Sequence, residues 1–314
     1  MTLAPVILFV YNRPVHTLRT LEALTDNYLA EETVLYIHSD GPNSNASKVE
    51  KEKINEVRNI IRLKQWCKKV YIIESKANKG LADSIVNGVT DIVNKHGKII
   101  VLEDDIVTSK GFLKYMNDAL FIYENEEKVM HISGFMHPVK GNLPETFFYN
   151  VNSCWGWGTW ERAWKKFNNN IIEITTLLQN HSGFTQKKFN KGQGLAFWRQ
   201  IEDNLNGKIK TWAIFWHAAI YLNNGFALHP RMSLVRNIGM DNTGIHCGMN
   251  EKYNNQIIAE FINVNKIEIK ENKKAIRLMH KLKDQNSIIN KLKRLFGRVL
   301  KVQRKLFNII LFKG

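Results

Sequence analysis

The first 107 residues alternate between short apolar runs and longer segments in which apolar residues recur every three or four positions. Short apolar runs are typical of buried strands, and the three-to-four spacing is typical of amphipathic helices. The runs predict strands at residues 5–11, 33–38, 69–74 and 99–102, with helices between them. Strands that alternate with helices in this way indicate a parallel sheet with right-handed crossovers, so we expect an α/β fold with helices on both faces of the sheet.

The remaining chain continues the same domain with a less regular pattern. Its apolar positions predict the following elements: helices at 112–123 and 212–222, and strands at 129–132 and 225–229. We therefore expect one domain over residues 1–265, divided into halves at 1–107 and 108–265. A tail at 266–314 follows it.

The strand at residues 99–102 ends in three consecutive carboxylates, Glu103, Asp104 and Asp105. Acids this close raise each other's pKa unless a cation or a set of hydrogen-bond donors lies among them. Their oxygens are hard ligands that suit Mn²⁺ or Mg²⁺, and these ions keep open positions for substrate phosphates. The triplet therefore indicates a metal site, with a solvated acidic turn as the alternative.

Polar residues also follow the first two predicted strands. Asn12 and Arg13 come after the first strand, and Asp40 comes after the second. Ligands of parallel sheets bind beyond the carboxyl ends of the strands, where these residues would converge. Arg13 is suited to a diphosphate, and Asp40 to a base N–H or a ribose hydroxyl. The group indicates a nucleotide-diphosphate site, although Arg13 as a surface residue and Asp40 as a turn former are the alternatives.

Two common nucleotide-binding motifs are missing from the sequence. It contains neither GxxxxGK[ST] nor GxGxxG. Their absence argues against a P-loop protein and against a dinucleotide-binding domain of the Rossmann type.

Four tryptophans lie within the twelve residues 153–164, interleaved with Gly156 and Gly158. Aromatic rings beside glycines form a flat surface that a backbone can approach closely, which suits the apolar face of a sugar or a base. A tryptophan-rich core beneath a loop is the alternative.

The net charge of +16 is concentrated in the tail. Residues 271–314 carry 13 Lys or Arg residues against two acids. Apolar residues in the tail recur largely at helical spacing: Ile289, Leu292, Phe296, Val299, Leu306 and Ile310. Such a basic amphipathic helix favours an anionic membrane surface. Docking against the body or a protein partner is the alternative. Nucleic acid is not expected as a partner because the body shows no recognition module.

No window of the sequence holds the roughly 20 apolar residues that a membrane-spanning helix needs. The short apolar run near the N-terminus lacks a preceding Lys or Arg and indicates a first strand. We expect a cytoplasmic protein associated peripherally with the inner face of the membrane. The three cysteines, Cys67, Cys154 and Cys247, show no zinc-type spacing.

Six short motifs, in this order along residues 5–247, resemble the nucleotide-sugar glycosyltransferases of the GT-A fold, in the broad family-2-like group. They are VYNRP, SDG, NKGL, VLEDD, WGWG and GIH. The EDD sequence is similar to the variant DxD motif of the N-glycan N-acetylglucosaminyltransferases. The resemblance implies a GT-A type sheet, a nucleotide-diphosphate sugar as donor, and Mn²⁺ or Mg²⁺ as cofactor.

The resemblance also implies roles for individual residues. Asp105 would bind the metal ion, His246 would bind the metal ion or the diphosphate, and Glu103 and Asp104 would face the ribose. The remaining nucleotide-sugar contacts would come from Asn12, Arg13, Asp40, Lys79, Trp155, Gly156 and Trp157.

One departure from the family pattern concerns the general base. Inverting members carry a carboxylate at the start of the helix that precedes the strand ending in proline, and Ala213 and Ile214 occupy that place here. Glu202 and Asp203 lie about ten residues earlier, and we take Asp203 as the candidate base. A solvated face of a polar helix is the alternative for both.

These features predict a hexosyl- or N-acetylhexosaminyltransferase that acts on a glycan or a lipid-linked acceptor, in cell-surface polysaccharide synthesis. The missing carboxylate at Ala213 leaves a second hypothesis, a glycan-binding module on a retired transferase fold. A sugar nucleotidyltransferase is a third, disfavoured by the absence of an N-terminal glycine-rich phosphate loop.

Overall fold

The computed structural model describes residues 2–191, 196–241 and 255–282. In chain order its strands are β1 (Val6–Val10), β2 (Val34–Ser39), β3 (Lys69–Glu74), β4 (Lys98–Glu103), β5 (Ile106–Thr108), β6 (Val129–Ser133), β7 (Thr146–Tyr149), β8 (Trp157–Trp160), β9 (Phe226–Pro230) and β10 (Val235–Asn237). Its helices are α1 (Pro14–Thr25), α2 (Lys48–Ile60), α3 (Leu81–His96), α4 (Phe112–Ile122), α5 (Glu161–Trp164), α6 (Ile171–Asn180), α7 (Gln186–Phe189), α8 (Phe197–Leu205) and α9 (Ala213–Leu222). Residues 273–282 are also helical and are called α10.

Eight strands form one sheet in the order β3-β2-β1-β4-β8-β6-β9-β7. Six of them point the same way, and only β8 and β7 run in the opposite direction. The predicted α/β fold with a mostly parallel sheet between helices is therefore confirmed. A separate two-stranded sheet pairs β5 with β10 in antiparallel fashion.

Helices cover both faces of the large sheet. Residues of α1, α2 and α4 pack in one core cluster, and residues of α3, α5 and α9 pack in another on the opposite face. The central strand β4 is buried over its first five residues, which explains its continuous apolar sequence. Helices α6, α8 and α9 add a third cluster around Phe189 and Trp198.

The local sequence explains several helix boundaries. Pro14 occupies the first turn of α1, where its missing N–H costs nothing. Ser47 caps α2 by accepting a hydrogen bond from the backbone N–H of Glu50 at 3.1 Å. Helix α3 ends at Gly97, whose φ of 76° lies in the left-handed region. These signals start and stop the helices that carry the chain back to the sheet.

The described part of the predicted tail lies against the body. The buried residues Ala275 and Met279 of α10 pack against Met136, Phe147 and Tyr149. This packing concerns residues up to 282 only; the predicted amphipathic stretch from residue 286, to which the membrane and docking alternatives apply, lies outside the described residues. The domain boundary at residue 265 stays a prediction. Within the described ranges, no helix has the length and apolar character needed to cross a membrane.

Candidate functional site

Strands β3, β2, β1 and β4 lie side by side and parallel, so their carboxyl ends share one edge of the sheet, here called the carboxyl edge. The register pairs Val10 with Ser39 and Phe9 with Glu103, which brings the strand ends to one level. The residues that the sequence singled out after these strands lie along this edge: Asn12, Arg13, Asp40, Lys79, Glu103, Asp104 and Asp105.

The acidic triplet is poorly solvated. Asp104 is buried, and Glu103 and Asp105 are only partly exposed. Burial raises the pKa of both Glu103 and Asp104, and the charges of the neighbouring carboxylates raise it further, while Arg13 acts in the opposite direction. Arg13 alone therefore does not offset the cost of ionising the buried Glu103 and Asp104 carboxyls, and a further cation at this edge would favour their charged forms.

Arg13 is the cation at the centre of this group. Its NH1 lies 2.9 Å from Oδ2 of Asp105 and 3.8 Å from Oδ1 of Asp104. Its NH2 lies 3.7 Å from Oδ1 of Asp241, whose other oxygen is 3.1 Å from Nε2 of His16. Burial lowers the pKa of His16, and the charge of Arg13 lowers it further.

The segment after β10 passes directly over the ion pair between Arg13 and Asp105. The backbone N–H of Ile238 donates to the carbonyl oxygen of Asp105 at 2.9 Å. A Cβ atom at Gly239 would lie 2.0 Å from Oδ2 of Asp105 and 2.9 Å from NH1 of Arg13. Asn237 fixes this path because its Oδ1 accepts from the Gly239 N–H at 2.8 Å. Only glycine fits at position 239 without displacing the site.

Asp40 organises the loop before α3. Its Oδ1 accepts from the backbone N–H groups of Gly41 at 2.8 Å and Lys79 at 2.9 Å, and its Oδ2 accepts from Gly80 at 3.1 Å. Gly80 has a φ of 80°, a conformation that glycine adopts without strain. The Asp40 carboxylate thus fills the turn-forming role that the sequence left open. It also fixes the backbone of Lys79, whose side chain is exposed.

The three residues of the tryptophan-rich motif lie in different environments. Trp155 is partly exposed and meets the ring of Phe135 edge-on at 4.5 Å. Gly156 adopts a φ of 65°. Trp157 is fully buried in β8 and stacks on Trp212 with ring centroids 5.4 Å apart. Trp157 therefore belongs to the core, the alternative that the sequence left open, and its ring presents no face to a ligand.

A cleft of about 410 Å³ lies between the start of α3 and the segment that joins α8 to α9. The cleft is lined by Ala82, Asp83, Val86, Asn169, Ile171, Asn204, Gly207, Lys208, Ile209, Lys210, Thr211, Trp212 and Phe215. Helices α3 and α9 run antiparallel to the strands beside them, so both begin on the side of the carboxyl edge. The helix starts beside the cleft therefore lie on the same side of the sheet as the acidic triplet. Two of the lining residues, Lys210 and Asp83, form an ion pair with Nζ and Oδ2 2.6 Å apart.

The two predicted catalytic acids lie on α8, outside the residues that line the cleft. Asp203 pairs with Arg199 at 3.6 Å and with Lys208 at 3.8 Å, and its carbonyl oxygen accepts from the Lys208 N–H at 2.8 Å. Glu202 accepts from Nε1 of Trp198 at 2.7 Å. Through these contacts Glu202 and Asp203 stabilise α8 and the loop that follows it.

The acidic triplet fits a hard cation by its chemistry. Across residues 2–191, 196–241 and 255–282, no group of three or more His, Cys, Asp or Glu side chains is arranged to hold a metal ion. Mg²⁺, however, is usually held by one or two carboxylates, with water and substrate phosphates filling its other positions. Asp105 and Asp104 supply such carboxylates. His246, the other predicted metal ligand, lies outside the described residues.

Sequence reasoning missed four residues of this region: His16, Asp83, Gly239 and Asp241. Gly239 and Asp241 belong to the glycine-punctuated stretch that also contains His246, so the stretch itself was a usable signal. His16 follows the Asn12–Pro14 turn by two residues. No sequence motif marked Asp83, because its place in the cleft depends on how α3 packs against the segment after α8.

Comparison with family models and with curated proteins found no match. Among solved structures, the chain is similar to TarS of S. aureus at 12% identity and a TM-score of 0.38, over 74% of this chain and 36% of that one. It is similar to a UDP-glucose pyrophosphorylase complexed with UDP-glucose at 10% identity and a TM-score of 0.36, over 80% and 96% of the two chains.

A third similar structure is the galactosyltransferase LgtC in complex with donor and acceptor sugar analogs. The identity is 6% and the TM-score 0.36, over 71% of this chain and 72% of that one. The chain thus spans about a third of TarS and most of the other two proteins. TM-scores this low carry no inference about activity, so the function has to be argued from the residues of the chain itself.

Proposed function

We propose that this chain is a glycosyltransferase that moves a sugar from a nucleotide-diphosphate donor to a glycan or lipid-linked acceptor, with Mn²⁺ or Mg²⁺ as cofactor. The observation that carries the proposal is the poorly solvated triplet Glu103–Asp105, which meets Arg13 at the carboxyl edge of a mostly parallel sheet. A metal cation that the donor diphosphate shares would favour the charged forms of these buried carboxyls, whose ionisation Arg13 alone does not compensate.

The donor would bind along the carboxyl edge. Arg13 and Lys79 are suited to the phosphates, and Asp40 holds the loop against which a base and ribose would lie. A bound Mn²⁺ or Mg²⁺ would stabilise the charge that develops on the departing diphosphate. Trp155 and Gly156 remain the proposed contacts for the sugar, and His246 remains a proposed metal ligand.

The acceptor would enter through the cleft between α3 and the segment after α8. Amide, hydroxyl and carboxylate groups line it, and these hydrogen-bond well to sugar hydroxyls. In the reaction, a bond forms between the acceptor oxygen and the anomeric carbon as the bond to the diphosphate breaks, and a base takes the hydroxyl proton. Asp203 is the candidate base from the sequence, and Asp83 is the carboxylate that lines the cleft.

The proposal also covers where in the cell the reaction takes place and which sugar is transferred. The basic tail would hold a cytoplasmic enzyme at the inner face of the membrane, where a lipid-linked acceptor for cell-surface polysaccharide synthesis would lie. The transferred sugar is expected to be a hexosyl or an N-acetylhexosaminyl group.

The test is nucleotide release from a panel of nucleotide-diphosphate sugars, with Mn²⁺ and after its removal by a chelator. We expect slow hydrolysis of one donor that Mn²⁺ stimulates and that Asp105→Asn abolishes. Asp118→Asn is the matched control, because Asp118 pairs with Lys114 on the surface of α4. If calorimetry with Mn²⁺ detects no binding of any donor, the proposal fails.

A glycan-binding module on the same fold is the second candidate. It is favoured by one observation: α9 begins at Ala213 and has no acid in its first turn. This candidate predicts sugar binding without release of nucleotide from any donor. Turnover with one donor excludes it.

A further inference from the structure

Helix α10 carries four exposed cations on one side: Lys273, Lys274, Arg277 and Lys281. We call them the cationic face. Three of them follow each other at intervals of four residues, the spacing that aligns side chains along a helix. None of the salt bridges among the described residues involves any of the four. The face is therefore a concentrated positive charge with no acidic partner in the described structure.

The opposite side of α10 is fixed to the body. Ala275 and Met279 are buried, and the Asn272 N–H donates to the carbonyl oxygen of Phe148 at 3.0 Å. The Oδ1 of Asn272 accepts from the N–H groups of Lys274 at 3.0 Å and Ala275 at 2.9 Å, which caps the helix. These contacts point the cationic face away from the body.

Two contacts with Lys191 fix the helix further. Glu271 lies 3.0 Å from Nζ of Lys191, and the His280 ring lies 2.8 Å from the Lys191 carbonyl oxygen. Since the apolar side of α10 is already used for packing, the helix has no second apolar side to insert into a bilayer. Whatever binds the cationic face binds it through charge.

The sequence beyond α10 extends the same charge. Residues 283–314 contain nine Lys or Arg residues and one acid, with apolar residues between the cations. Alternating basic and apolar residues suit a surface that offers both negative charge and an apolar phase. A lipid bilayer with acidic headgroups has both, whereas a nucleic acid duplex offers only the charge.

We propose that the cationic face binds the acidic headgroups of a membrane surface and orients the body on it. Each cation near such a surface strengthens binding about fivefold, so the four together dominate the contribution of α10. Because the attraction is electrostatic, it weakens steeply as salt rises. This inference specifies the membrane contact of the proposed function, and its test does not depend on transferase activity.

The experiment is sedimentation of the full chain with phosphatidylcholine vesicles that contain or lack phosphatidylglycerol, at low and high salt. The test variant combines Lys273→Gln, Lys274→Gln, Arg277→Gln and Lys281→Gln. The matched control removes four exposed cations from and near α2 by Lys48→Gln, Lys51→Gln, Lys53→Gln and Lys68→Gln. Both variants lose the same net charge, and circular dichroism checks that both fold.

We expect the parent to bind only the vesicles with phosphatidylglycerol, and salt to release it. The test variant should lose at least about tenfold in partitioning, while the control stays within about twofold of the parent. Three results would overturn the proposal: equal binding to neutral vesicles, equal losses in both variants, or full binding by the test variant. Tighter binding of the parent to duplex DNA than to the acidic vesicles at the same salt would also overturn it.

Discussion

The guanidinium group of Arg13 lies 2.9 Å from the Asp105 carboxylate and joins the end of β1 to the turn after β4. The same guanidinium group approaches Asp104 and Asp241, so a single cation serves three carboxylates. Arg13 and Asp105 are mostly buried, with side-chain exposures of 14% and 16%. When one partner of such a buried ion pair is removed, the other is left as an uncompensated buried charge, and this is the main destabilising effect.

Removing Arg13 should therefore destabilise the chain more than removing both partners. We expect Arg13→Gln to lower the free energy of unfolding by roughly 2 kcal/mol, because it leaves the acidic triplet without its cation. Adding Asp105→Asn to this variant should restore part of the loss. Urea unfolding of the parent, both single variants and the double variant gives the coupling free energy. Strict additivity would show that the two side chains do not interact.

Gly239→Ala should disturb the site without unfolding the chain. The new Cβ would lie 2.0 Å from Oδ2 of Asp105, so either the carboxylate or the covering segment has to move. We expect at least about tenfold weaker donor binding by calorimetry, since small displacements of site groups are costly.

Gly97→Ala is the control for this substitution. Its Cβ would meet no atom within 4 Å, but its φ of 76° is strained for alanine. It should cost about 1 kcal/mol of stability and leave donor binding unchanged. A Gly239→Ala protein with parental donor affinity would contradict the close approach at Asp105.

Kinetic measurements can distinguish whether Asp83 or Asp203 acts as the general base. If Asp83 receives the acceptor proton in the cleft, Asp83→Asn should lower kcat of transfer about 100-fold and leave the KM for the donor unchanged. Asp203→Asn should mainly loosen the loop at Lys208 and cost less than about 1 kcal/mol of stability, because its ion pairs are partly exposed. Loss of kcat in Asp203→Asn alone would instead support the base indicated by the sequence.

His217 should make stability depend on pH. The pKa of His217 is lowered to about 4, chiefly because the side chain is buried; the Phe189 carbonyl oxygen acts in the opposite direction, and the nearby charge of Lys191 contributes to the lowering. The unfolded chain takes up this proton near pH 6.5, so the stabilisation is complete above that pH and is lost as the pH falls towards 4.

The comparison with His217→Gln isolates this contribution from other titrating groups. The stability difference between the parent and His217→Gln should shrink by roughly 2 kcal/mol between pH 7 and pH 5. Urea unfolding at the two pH values measures it. A difference that is independent of pH would mean that His217 titrates normally in the folded chain.

The sequence predicted most of the parallel half of the fold. Its strands at residues 5–11, 33–38, 69–74 and 99–102 correspond to β1 to β4. Burial on both faces explains the continuous apolar runs of β1 and β4, whereas the edge strand β3 is partly exposed. The short strands β5 and β10 were not predicted, since three residues are too few to form a pattern. Strand β8 was read as a possible ligand surface because its tryptophans are unusual, yet Trp157 is fully buried.

For the candidate site, too, some features could be predicted from the sequence and others could not. The sequence alone determined that carboxylates and Arg13 follow neighbouring parallel strands, because the order of strands and helices fixes where strand ends meet. Only the tertiary structure decided that Gly239 and Asp241 cover Arg13, that Asp83 lines the cleft, and that Asp203 supports a loop. Periodicity reports whether a residue faces the core, which is a local property. Contacts between residues far apart in the chain depend on how the helices pack across the sheet.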